Sequence, residues 1–166
     1  MDSLRALVLG VGNLLLGDEG VGVHVVARLA PILEGVPGVT VLDGGTLGLE
    51  LLGPIEEADH LVVVDCLRSG LPRGTVTILQ GEDATAWATE RVTAHDLGLP
   101  SVFSLAQLRG WQASRVALVG VEPASLDPGV ELSPEVEAGA DEAARQVLAL
   151  LREWGHDVGQ SQVEGR

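Results

Sequence analysis

The sequence predicts a three-layer α/β/α sandwich around a mostly parallel sheet. Three observations carry this reading. Short apolar runs of strand length alternate along the chain with segments of helical periodicity, the pattern of an α/β domain. The strand runs are apolar at successive positions, as for strands covered on both faces. Finally, the 166 residues, 46% of them hydrophobic, contain no internal repeat, linker or low-complexity stretch, which fits one domain with a packed core. That domain is expected at residues 1–154, with a flexible tail at 155–166.

The first strand spans Arg5 to Gly12. A helix from Gly20 to Ala30 follows, with Val21, Val25 and Leu29 on one stripe, and Pro31 ends or kinks it. VTVLD (39–43) is the second strand, closed by Gly44-Gly45. Thr46 is placed to N-cap a short helix over 46–58. HLVVVDCL (60–67) is the third strand. The link RSGLPRG (68–74) is shorter than the dozen or so residues of a parallel crossover, so TVTIL (75–79) runs antiparallel to the third strand. Residues 80–99 show no clear element. VFSLAQLRG (102–110) is a helix ended by Gly110, and RVALVGV (115–121) is the fifth strand. The last helix starts with Ser133 as N-cap and Pro134 at N1, and carries Val136, Ala140, Ala143, Val147, Leu150 and Trp154 on one stripe. Right-handed crossovers put the first strand between the second and third. The crevice at the carboxyl ends of the first and third strands is then the switch point where ligands bind.

The net charge is −14, and all ten basic residues are arginine. A surface this acidic repels nucleic acid and anionic membranes; it favours a cation or a basic partner, or serves solubility. No apolar run approaches the ~18 residues of a membrane span, and no signal peptide is recognisable. The single cysteine, Cys66, leaves no internal disulfide and no cysteine zinc framework. The expectation is a cytoplasmic chain, and nothing demands more than a monomer.

The stretch VLGVGNLLLGDEGVGVHVV (8–26) has the outline of a glycine-rich nucleotide loop between a strand and a helix. It departs from one in two ways. The third glycine of G-x-G-x-x-G is Leu15, and Asp18 and Glu19 oppose a phosphate at the helix N-terminus. A chain without lysine has no Walker loop, and neither G-x-S-x-G nor H-E-x-x-H occurs. Glu19 after the first strand and Asp65 at the end of the third flank the same crevice, and Asp43 ends the second strand on that edge. Carboxylates gathered at one sheet edge repel unless a cation or a proton offsets them. A divalent metal with a histidine completing an O,O,N set is one solution, and His95 in TAHDLGLP (93–100) is the histidine placed to reach it. Ordinary roles compete for each residue: loop capping for Asp18 and Glu19, turn formation for Asp43 and Asn13, and core packing for Cys66.

GVGNLLLGDEGVGVHVV, DGGTLGLELL, HLVVVDCL, TAHDLGL and LVGVEP, in that order, resemble the hydrogenase maturation protease family across residues 4–154. The resemblance implies a five-stranded mixed sheet of order 2-1-3-5-4 with the fourth strand antiparallel, a phosphorylase/hydrolase-like fold. It implies a nickel-dependent, aspartic-type endopeptidase that removes the C-terminal peptide from the precursor large subunit of a nickel-iron hydrogenase. The family's metal-binding and catalytic residues fall on Glu19, Asp65 and His95, with Asp43, Asn13 and Asp18 as secondary candidates. The metal would be nickel supplied by the precursor, with zinc or cadmium able to substitute in a crystal. The metal would polarise the scissile carbonyl or activate water, or Glu19 or Asp65 would act as general base. The alternative is a non-catalytic nickel-sensing chaperone that holds the precursor with the same ligands.

Overall fold

The computed structural model describes residues 3–45, 47–89 and 98–159. Five strands, β1 (Ala6–Val11), β2 (Val39–Gly45), β3 (His60–Cys66), β4 (Val76–Gln80) and β5 (Arg115–Val121), form one sheet of order β2-β1-β3-β5-β4. All neighbours are parallel except β4, which runs antiparallel to β5, as the short link before it requires.

Alternation along the buried strands feeds two cores. On one face Val8, Val62, Val64 and Val119 pack against α1 (Val21–Leu33) and α5 (Pro134–Glu153) through Val25, Leu29, Val147 and Leu151. On the other, Leu9, Leu61 and Val63 meet α2 (Leu52–Glu56), α3 (Glu82–Thr89) and α4 (Leu99–Leu108) through Ile55, Ala88 and Phe103. Each of the larger of these side chains, valine, leucine, isoleucine or phenylalanine, contributes about 1.5–3 kcal/mol on burial. Among the described residues no helix is long and apolar enough to cross a membrane.

Several elements differ from the sequence expectation, each for a local reason. The first helix runs through Pro31 to Leu33. A proline removes one hydrogen bond to the residue four before it. Here that residue, Ala27, is exposed, so the lost donor leaves no deeply buried acceptor behind, while Leu29 and Leu33 stay buried. The second helix is shorter than 46–58: a 3₁₀ turn at Leu49–Leu51 leads into α2, and Thr46 lies outside the described residues. The stretch 80–99 contains α3, whose weak periodicity comes from burying only small residues, Ala84 and Ala88. α4 starts at Leu99, with Pro100 in its first turn.

Residues 155–159, part of the expected tail, lie within the described residues. Gly155 turns the chain at φ 90°, and His156 and Val158 are buried against the body. The His156 N–H donates to Leu151 O at 2.9 Å, and Arg152 Nε donates to Val158 O at 3.2 Å.

Candidate active site

Glu19 and Asp65 come to one place from two adjacent strands. The chain leaving β1 turns at Asn13, whose Oδ1 accepts from the Leu15 N–H at 2.9 Å and whose carbonyl accepts from the Leu16 N–H at 3.2 Å. A 3₁₀ turn at Gly17–Gly20 follows and carries Asp18 and Glu19. That turn folds back onto the strand end because Gly12 has φ 131° and no side chain; a Cβ there would collide with the Glu19 carbonyl oxygen. Gly22 works similarly, since a Cβ there would strike the carbonyl oxygens of Val11 and Val64. The glycines that outline a phosphate loop thus serve to seat backbone on backbone.

Asp18 anchors the turn. It is fully buried, and its carboxylate accepts from the backbone N–H groups of Ala124, Ser125 and Ser133 and from the Ser133 hydroxyl, at 2.8–2.9 Å. Burial pushes its pKa up, but the hydrogen bonds from Ser133, Ser125 and Ala124 outweigh burial and hold the carboxyl below its ordinary value. Ser133 therefore gives its hydroxyl to Asp18 and makes no side-chain cap to α5. Glu122, a residue the sequence did not single out, does the same for the loop after β3. Its carboxylate accepts from Ser69 N, Ser69 Oγ and Gly70 N at 2.8–3.1 Å.

Asp65 shares a face of β3 with Leu61 and Val63, toward α2–α4, and its Oδ1 accepts from the Cys66 N–H at 2.7 Å. It lines, with Glu19, a cavity of about 270 Å³ at the carboxyl ends of β1 and β3; Gly12, Leu47, Trp87 and Gly98 complete much of the wall. This is the switch point expected from the strand order. A larger hollow of about 670 Å³ beside Gln80, Thr85 and Trp154 holds Glu82, and one of about 470 Å³ in the loop after β5 holds Asp127 and Glu131; the smaller cavity is the one whose paired acids stand at the carboxyl ends of β1 and β3.

Cys66 faces the other way, into the α1–α5 core. Burial first, then the nearby charges of Asp65 and Glu19, push its thiol up to about 12, so it is no nucleophile at neutral pH. Asp43 is exposed on the end of β2 and lies off the cavity, and Asn13 serves its turn. His95 lies outside the described residues, and among those described no group of three metal-ligating side chains is assembled. His24 sits within α1, and His60 starts β3 at the opposite end of the sheet, paired with His156. Trp87 is one cavity residue the sequence did not suggest, because it stands in the segment of weakest periodicity.

A family model described as hydrogenase maturation protease (HycI) matches residues 23–150. The hydrogenase 2 maturation protease of Escherichia coli K12 is 44% identical over 154 residues, covering 92% of this chain and 93% of that protein. The chain belongs to the hydrogenase maturation protease family.

The structure of the E. coli hydrogenase maturating endopeptidase HybD agrees with this protease at a TM-score of 0.82 and 42% identity, over 96% of this chain and 99% of that one. A hydrogenase 2 maturation peptidase from Thaumarchaeota archaeon SCGC_AB-539-E09 agrees at a TM-score of 0.69 and 34% identity, over 89% and 98%. The expected sheet order and the antiparallel fourth strand are those of the family fold. The protease is an endopeptidase of hydrogenase maturation.

Proposed function

We propose that Glu19, Asp65 and His95 form the site at which this endopeptidase meets the metal of its substrate. The observation that carries the reading is the cavity lined by both Glu19 and Asp65, with Gly98, three residues along the chain from His95, in the same wall. The reaction is the removal of the C-terminal peptide from the precursor large subunit of a nickel-iron hydrogenase, and it takes place in the cytoplasm on a monomeric protease. Two carboxylates and an imidazole are a donor set suited to a divalent ion such as nickel, and zinc or cadmium fits the same set. The nickel belongs to the precursor. It supplies a Lewis acid beside the scissile amide when the two proteins meet.

The protease's own groups do three things. Gly12, with the Asp18 anchor behind the turn, holds Glu19 at the cavity wall. Glu19 and Asp65 place negative charge where a cation enters, and a site with so few ligands binds a free ion weakly, so occupancy depends on what the precursor adds. One of the two carboxylates takes the proton of the attacking water while the amide C–N bond breaks and the leaving amine gains a proton. Which carboxylate acts as base is decided by kinetics against pH.

Glu19→Gln, Asp65→Asn and His95→Ala are each expected to abolish the mass loss of nickel-loaded precursor while keeping the circular dichroism and melting temperature of the unaltered protease. Normal processing by all three variants would remove this site. Retained nickel-dependent binding without any cleavage by the unaltered chain would favour a chaperone.

A further inference from the structure

Most of the exposed large apolar side chains among the described residues are gathered at one end of the molecule, while Leu4, ahead of β1, and Leu108, at the end of α4, lie away from it. Leu14 and Leu15 follow β1, Leu47 and Leu49 follow β2, and Val130 follows β5, all on loops that leave the carboxyl ends of strands. Leu15 is 66% and Val130 62% exposed.

These loops are laced together. Gly129 N donates to Leu15 O and Gly17 N to Gly129 O, both at 2.9 Å, and Gly12 N donates to Gly45 O at 2.9 Å. Leu14 lies against Gly20, next to Glu19, and Leu47 lines the cavity itself. The apolar groups are therefore held on one backbone-bonded rim continuous with the carboxylate cavity. Apolar groups clustered this way mark an interaction surface rather than scattered exposure.

Taking the cavity as the processing site, we propose that this collar is the docking surface for the body of the precursor: an apolar patch flanked by basic side chains. A protease that cuts one peptide of a large protein must hold the rest while that peptide reaches the carboxylates. The collar stands where that body must rest. Asp43 near the end of β2, and Glu50, Asp127 and Glu131 on the loops, are exposed at this end, and the whole chain carries −14. Such a rim steers in a basic surface and repels an acidic one, so it disfavours a second copy of this chain.

The test is the kinetics of Leu15→Ser, Val130→Ser and the double variant on the metal-loaded precursor that the unaltered protease cleaves. Leu108→Ser, at an 85% exposed leucine on the far end of α4, is the control. The double variant is expected to raise KM about tenfold or more, with kcat at saturating precursor within about twofold and the control unchanged. A double-variant KM within about twofold of the unaltered value would overturn the docking surface and leave the site standing. An unaltered protease that cleaves no precursor would overturn both. A dimer in sedimentation, dissociated by the same substitutions, would reassign the collar to self-association.

Discussion

Replacing Asp18 by alanine removes the acceptor of three backbone N–H groups and one hydroxyl in a fully buried place. A buried donor left without a partner costs about 1–3 kcal/mol. Water entering the vacated space restores some of those bonds, and alanine avoids the cost of burying a charge. The net loss is then about 3–5 kcal/mol, the range for breaking one side of a buried charged network. For a chain of this length each kcal/mol moves the melting temperature by about 2–4 °C, so Asp18→Ala lowers it by roughly 6–20 °C. Asp18→Asn keeps the volume but turns an NH₂ toward groups that also donate, and recovers only part. Urea and thermal unfolding measure the effect, and precursor processing is followed in parallel, because the same carboxylate anchors the turn that carries Glu19. Since the folded carboxyl sits below its ordinary value, its contribution is present above about pH 3.9 and is lost as pH falls through the folded value. The gap between unaltered and variant protein should therefore close in acid. A loss below about 1 kcal/mol for Asp18→Ala would refute the reasoning.

His60 Nδ1 and His156 Nε2 lie 2.7 Å apart and are both buried, so the pair holds one proton between its rings at neutral pH. Burial depresses both values, and for His60 the neighbouring His156 depresses it further, against Asp59 and with Arg115. Stability is thus complete above the unfolded histidine value of about 6.5 and falls below it, by up to about 1.4 kcal/mol per pH unit for each histidine. Urea melts from about pH 8 to 5 should show this slope, and His156→Gln should flatten it; equal slopes in both proteins would count against the pairing. Gly12→Ala forces a side chain into φ 131° and onto the Glu19 carbonyl. It should cost roughly 1–3 kcal/mol in thermal unfolding and lose processing more than stability alone explains.

Much of the fold could be read from the chain because strands buried on both faces leave unbroken apolar runs. LVVV before Asp65 and VALV before Gly120 could hardly be anything else. The antiparallel β4 followed from the length of one link. Where the reading slipped, the local signal was weak or ambiguous. α3 buries alanines and so leaves little periodicity, and Pro31 breaks a helix only where the lost bond has no substitute. Glu19 and Asp65 were legible as two acids at one sheet edge, and Leu47 and Trp87 were not, because lining a wall asks only for bulk.

The sequence by itself determined the strand order at the switch point, the acidic character of its loop and the family, since each depends on residue type and spacing along the chain. The family resemblance already favoured Glu19, but tertiary structure alone decided what Asp18 does instead and why its neighbour is the one that lines the cavity. The two are neighbours with nearly the same chemistry. Ala124, Ser125 and Ser133, more than a hundred residues away, present N–H groups to Asp18, and the Glu19 backbone rests on Gly12. A carboxylate saturated with buried donors becomes structure, and its neighbour, held at the cavity wall, is the one we propose for the cation.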